Sequence, residues 1–266
     1  MAVFVHLAGD LPAVQKSFFR NIIAMILAFA FLAKEKKGFR PSKGCVPALL
    51  LRAAAGTVGI IGNYYAIDHL VLSDASMLNK LAPFFNVLFS VFLLKEKISW
   101  KQFSAILIAF AGSLFIIKPS FQIASSLPAL VGFFGGMSAG FAYSMVRFLT
   151  QHGERKTYIV FFFSSFSCLI TLPFLIFSYA PMTLQQLLML ILTGLCAAGG
   201  QFAVTSAYAC APAREISVYD YTQILFSAAF GFLFFGQLPD KWSIAGYFII
   251  CTIAVITFLK RTPAEN

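Results

Sequence analysis

Nine runs of mostly apolar residues divide this chain, each about 18–25 residues long and so long enough to cross ~30 Å of hydrocarbon. They are Leu11–Ala33, Val46–Ile67, Leu72–Leu94, Ile98–Ile117, Leu127–Leu149, Tyr158–Tyr179, Leu184–Tyr208, Ile216–Phe235 and Trp242–Leu259. Runs of this length, separated by short polar breaks, predict an all-α polytopic membrane protein. Composition agrees. The chain is 59% hydrophobic and 11% charged, against about 25% charged in ordinary soluble domains, and its mean hydropathy is +0.83. Thirty-two phenylalanines cannot be hidden in one soluble core of this size.

The net charge of +10 does not mark a nucleic-acid surface, which would need a soluble domain to carry it. The basic residues instead sit in short breaks such as "KEKKGFRPSKG" (Lys34–Gly44) and "KEKISWK" (Lys95–Lys101), the pattern of cytoplasmic loops. The five cysteines are scattered, with no CxxC or Cys/His spacing, so neither a metal nor a cofactor is expected. The histidines have no HExxH spacing and no GxSxG occurs, so no catalytic residues are assigned and an intramembrane enzyme is the weaker class. "GTVGIIGN" (Gly56–Asn63) is no phosphate loop, because no strand precedes it and no Gly-Lys-Ser/Thr closes it.

An internal repeat organises the runs. Tyr64–Lys97 aligns with Ala207–Leu238, so that Asp74 meets Glu215, Ser76 meets Ser217, Asn79 meets Asp220 and Lys80 meets Tyr221. Two copies of five helices, 1–122 and 123–266, fit the whole chain. An odd number of helices per copy inverts the second relative to the first. The loop charges swap accordingly: "KEKKGFRPSK" corresponds to the uncharged "SYAPMT" (Ser178–Thr183), and "HLAGDLP" (His6–Pro12) to the basic "HGERK" (His152–Lys156). The basic loops and the C-terminal tail "LKRTP" are expected in the cytoplasm. Leu127–Leu149 has only "MAVFVHLAG" as counterpart, so nine complete helices of a ten-helix pattern are expected, with either a start further upstream or a crippled, non-transporting product.

"FFRNIIAMIL", "YYAIDHLVLSDASMLNKLAPFF", "LLKEKISWKQ", "AYSMVR" and "APAREISVYDYTQILFSAAFGFLFFGQLPD" resemble the EamA-type carriers of the drug/metabolite transporter superfamily, from about Phe4 to Leu259. The resemblance implies two inverted five-helix repeats in a cell (inner or plasma) membrane. It implies transport of a small metabolite, such as an amino acid, an aromatic or a nucleoside-like compound, through a cavity lined by the helices holding "DASMLNK" and "EISVYDY". Bilayer and small solute are the expected partners, with no nucleic acid. The chain is expected to be a monomer, with the glycines of "GGMSAG" packing inside one bundle, or a homodimer through them.

The candidate site follows from charges at bilayer depth, each costing about 2.5–3.5 kcal/mol on insertion scales. Ser76, Lys80, Pro83 and Val87 form one stripe of a helix bent by Pro83, whose missing N–H frees the carbonyl of Asn79. Lys80 either faces a hydrated cavity or snorkels to the headgroups. Asp220, between Tyr219 and Tyr221, either holds a cationic group or a coupling proton, or pairs with a basic residue of another helix. Lys80 and Asp220 are expected to share one site with Asn79 and Ser76, where Tyr219, Tyr221 and Phe84 supply apolar surface. Arg20 lies deep enough for a charge pair or an anionic solute group, Arg147 reads as an interfacial anchor, and Arg52 either anchors or pairs with Asp220.

Overall fold

The computed structural model of the chain describes residues 2–9, 11–36, 38–70, 72–117, 127–236, 238 and 240–259. The expected boundary between the repeats, Lys118 and the tail beyond Leu259 fall outside these, as does the side chain of Asp74. Among the described residues twelve helices follow in order: α1 (Ala2–Leu7), α2 (Ala13–Lys34), α3 (Val46–His69), α4 (Leu72–Asn79), α5 (Ala82–Leu94), α6 (Trp100–Ile117), α7 (Leu127–Gln151), α8 (Lys156–Phe177), α9 (Leu184–Cys210), α10 (Ala213–Asp220), α11 (Gln223–Phe235) and α12 (Lys241–Leu259). The protein is an all-α, multi-pass membrane protein: eight spans among the described residues are long and apolar enough to cross a bilayer.

Seven of the nine expected helices stand within two residues of their expected limits. The other two are corrected, because Leu72–Leu94 and Ile216–Phe235 are each broken in the middle. The breaks match in detail. An eight-residue helix, two residues outside helix (Lys80–Leu81 or Tyr221–Thr222) and a thirteen-residue helix occur in both places. The thirteen-residue helices also end alike, with Lys95 (φ 54°) and Gly236 (φ 64°) in the left-handed conformation that closes a helix. Glycine takes that φ freely, whereas lysine pays for its Cβ there.

Small residues set the packing. In α3, a Cβ on Gly59 would lie 3.1 Å from the backbone of Ala139, and one on Gly62 would lie 3.0 Å from Gly135. Without side chains at these positions α3 and α7 approach closely, and theirs is the most extensive packing in the bundle. In α7, Gly140 lies against Ala82, Phe85 and Asn86 of α5. The glycines of "GGMSAG" therefore pack inside one bundle. Elsewhere α2 packs on α8, and α6 on α12, where Gly246 meets Gly112. Both are pairs of helices that the repeat alignment matches.

Each end of the bundle is tied down by polar contacts. At the end carrying the basic loops, Glu35 accepts from Thr157 Oγ1 (2.6 Å) and from Arg155 Nη1 (3.4 Å), while Glu154 accepts from the Ser42 amide (2.8 Å). At the opposite end the buried amide of Gln15 bonds both the N–H and the C=O of Ala180, each at 2.9 Å. One tie is ionic and the other neutral.

Candidate functional site

The break between α4 and α5 is built by Pro83 in the first turn of α5. The preceding turn closes with Lys80 N–H on Ser76 O (3.1 Å) and Leu81 N–H on Leu78 O (3.2 Å). The sequence places the freed carbonyl at Asn79, but the carbonyl that gains a partner is that of Lys80. It accepts the hydroxyl of the fully buried Tyr221 at 3.1 Å. Tyr221 stands in the second break, so the two breaks are bonded to each other.

Lys80 reaches across to the second break. Its Nζ donates to Oε1 of Gln223, the first residue of α11, at 2.8 Å. Among the described residues Asp220 pairs with no basic one. Its Oδ2 accepts the hydroxyl of Tyr208 at 2.6 Å, and the Tyr208 ring stacks on Tyr143 with centroids 5.5 Å apart. Lys80 and Asp220 are each held by a neutral partner, and they form no ion pair with one another.

The expected single site is divided. Ser76, Asn79 and Lys80 line a cavity of about 230 Å³ with Asn63 and Gln223. Tyr219 lines a different and larger cleft of about 1150 Å³ on the basic-loop end, where α10, α6 and α12 meet the end of α7. Tyr221 lies buried between the break residues, its ring 6.5 Å from Phe110. Phe84 stands apart, packed on Phe85 and Phe103.

Arg147, read from sequence as an anchor, lines the larger cleft and does more than anchor. Its Nε pairs with Glu96 at 3.4 Å, and its Nη1 donates to the carbonyls of Tyr208 (3.2 Å) and Ala209 (3.1 Å). Those carbonyls belong to the last turn of α9, where a cation also meets the negative end of the helix dipole. Arg214 donates to the Lys97 carbonyl at the same mouth.

Other polar residues escaped the sequence reading. Ser144 donates to Asn86 Oδ1 (2.9 Å), and Asn86 Nδ2 reaches Ser217 Oγ (3.4 Å), joining α7, α5 and α10 in a fully buried chain. An asparagine inside the run "FFNVLFSVFLL" was the available signal. Arg52 neither anchors nor pairs with Asp220. Only 2% of it is exposed, and its guanidinium lies over the Phe163 ring at 3.8 Å from the centroid.

The pattern of the EamA-like transporter family matches residues 1–118. Over 263 residues the chain is 32% identical to the pseudopaline exporter CntI of Pseudomonas aeruginosa, covering 98% of this chain and 90% of that one. It is 29% identical to the riboflavin transporter of Vibrio cholerae (97% and 87% covered). Against human solute carrier family 35 member G1 it is 26% identical (95% and 73% covered). A solved crystal structure shares the fold at a TM-score of 0.81 and 14% identity, covering 97% of this chain and 92% of its own.

Proposed function

The chain belongs to the EamA-like transporter family, and from that premise we propose that it moves a small organic metabolite by alternating access around the two joined helix breaks. One observation carries the reading: the Tyr221–Lys80 bond stands between residues lining the smaller cavity and residues lining the cleft at the basic-loop end. Broken helices at matched positions are a recurrent way to put polar backbone at a binding site inside the membrane. Relatives named for pseudopaline and for riboflavin support a small organic cargo, of the amino acid, aromatic or nucleoside-like kind.

In this reading repeats 1–122 and 123–266 rock against each other, with the basic loops and the C-terminus in the cytoplasm. The cleft of about 1150 Å³ then faces inward. Asp220, released from Tyr208, holds an amine or the coupling proton, and Tyr219 offers stacking surface on the inner side.

The test is a thermal-shift screen of metabolites on the purified protein, followed by uptake into proteoliposomes. Solutes that stabilise the protein should cross the vesicle membrane faster than in protein-free vesicles. If stabilising solutes are found and none crosses, the transport reading fails.

A further inference from the structure

The smaller cavity, about 230 Å³, contains a positive charge that no described residue on its wall balances. It lies where α3, α4, α6 and α11 meet, and its polar lining is Asn63, Ser76, Asn79, Lys80 and Gln223. Lys80 is the one charged residue among the described residues of that lining. Oε1 of Gln223 accepts one ammonium N–H at 2.8 Å, but a neutral amide leaves the charge itself uncompensated. Among the described residues Lys80 enters no ion pair. Asp220 is bonded to Tyr208 and does not line the cavity.

Every polar side chain on this wall can donate. Asn63, Asn79 and Gln223 carry amide N–H groups and Ser76 a hydroxyl, and none of them donates to another described residue. The other ammonium N–H groups of Lys80 are spare as well. A cation in a low-dielectric site is unfavourable unless it is paired. Size narrows the choice of partner. The cavity falls below the roughly 300–1,000 Å³ of pockets that enclose organic ligands, yet it has room for a small ion with several waters. One positive charge is balanced by one negative charge. We propose that the smaller cavity binds a small monovalent inorganic anion of the chloride type, held by the Lys80 ammonium and the amide donors around it. The ion links the first helix break to the start of α11, and so joins the two repeats by a second contact beside the Tyr221–Lys80 bond. This site is distinct from that of an organic solute and does not rest on the transport reading.

The test needs no transport. Purified full-length protein in detergent is held in sodium gluconate, which is replaced at constant ionic strength by chloride, bromide or acetate. Thermal unfolding and the binding of radiolabelled chloride are read. Chloride and bromide should raise the unfolding temperature along a saturating curve, and acetate should do so less. Lys80→Met should weaken chloride at least tenfold, about 1.4 kcal/mol. Gln223→Glu puts a carboxylate where the amide now accepts from Lys80, so the charge is balanced from within. That variant should melt higher than the unaltered protein in gluconate and lose the response to chloride. If Lys80→Met does not fold, Gln223→Glu decides alone. Absence of saturable chloride binding, or unchanged chloride affinity in either variant, overturns the proposal. A stronger response to acetate than to chloride also overturns it, and gives the cavity to the carboxylate of an organic solute.

Discussion

The hydroxyl of Tyr221 donates to the main-chain carbonyl of Lys80, 3.1 Å away, so a side chain from one broken helix completes the backbone of the other. Tyr221→Phe should therefore leave a buried carbonyl unsatisfied, at a cost of about 1–3 kcal/mol. Thermal unfolding in detergent checks this. An unchanged midpoint would mean that water replaces the hydroxyl and that the two breaks are not mechanically joined.

Lys80→Met removes the bond to Gln223 and an intramembrane charge together. Membrane insertion and yield should hold or improve, since the insertion penalty of about 2.5–3.5 kcal/mol disappears. Uptake of an identified solute should fall. Uptake at the wild-type rate would show that Lys80 organises the smaller cavity without taking part in transport.

How far the sequence could be read divides at this pair. Spans were legible because twenty apolar residues have few other uses, and the first break was legible because Pro83 cannot donate. The second break carries no proline, and nothing in the sequence reading pointed to it. Partners were the least legible part. Asp220 is held by Tyr208 around the turn between α9 and α10, and Arg147 by Glu96, 51 positions away. Both pairings depend on helix rotation, which the even apolarity of these segments does not fix.

Glycines 140 and 199 predict opposite outcomes for one substitution. At Gly140 a methyl would meet Ala82 O and Phe85 Cβ at 2.7 Å, so Gly140→Ala should destabilise by about 1–3 kcal/mol. At Gly199 nothing lies within 4 Å, and Gly199→Ala should be neutral or stabilising by up to about 1 kcal/mol through helix propensity. Paired melting curves decide. If both variants melt alike, close packing of α7 on α5 is not what sets the bundle's stability.

Orientation is tested by single cysteines at Lys36 and Ala180, which stand at opposite ends of the bundle. A membrane-impermeant maleimide added to intact cells should label the Ala180→Cys protein and spare the Lys36→Cys protein. Cys196, Cys210 and Cys251 are exposed and are best replaced first. Cys45 is buried, and burial followed by the charge of Glu154 pushes its thiol pKa up, which leaves it a poor background nucleophile. Labelling of the Lys36 position from outside would reverse the proposed topology.

Pro83 gives the two breaks unequal reversibility. Without an N–H on Pro83, the carbonyl of Asn79 cannot regain the bond from four residues on, so a regular α-helix cannot close across the break between α4 and α5. Every amide between Tyr221 and Phe226 is present, and those of Thr222, Ile224 and Leu225 are merely shifted to carbonyls three residues back, Tyr219, Tyr221 and Thr222. A change of register there would heal α10 and α11 into one rod. In the proposed transport reading the first break would keep its shape while the second changes. Hydrogen exchange at Tyr221–Phe226 should slow when solute is bound, while exchange at Lys80–Phe85 stays constant; the same response at both breaks would rule the asymmetry out.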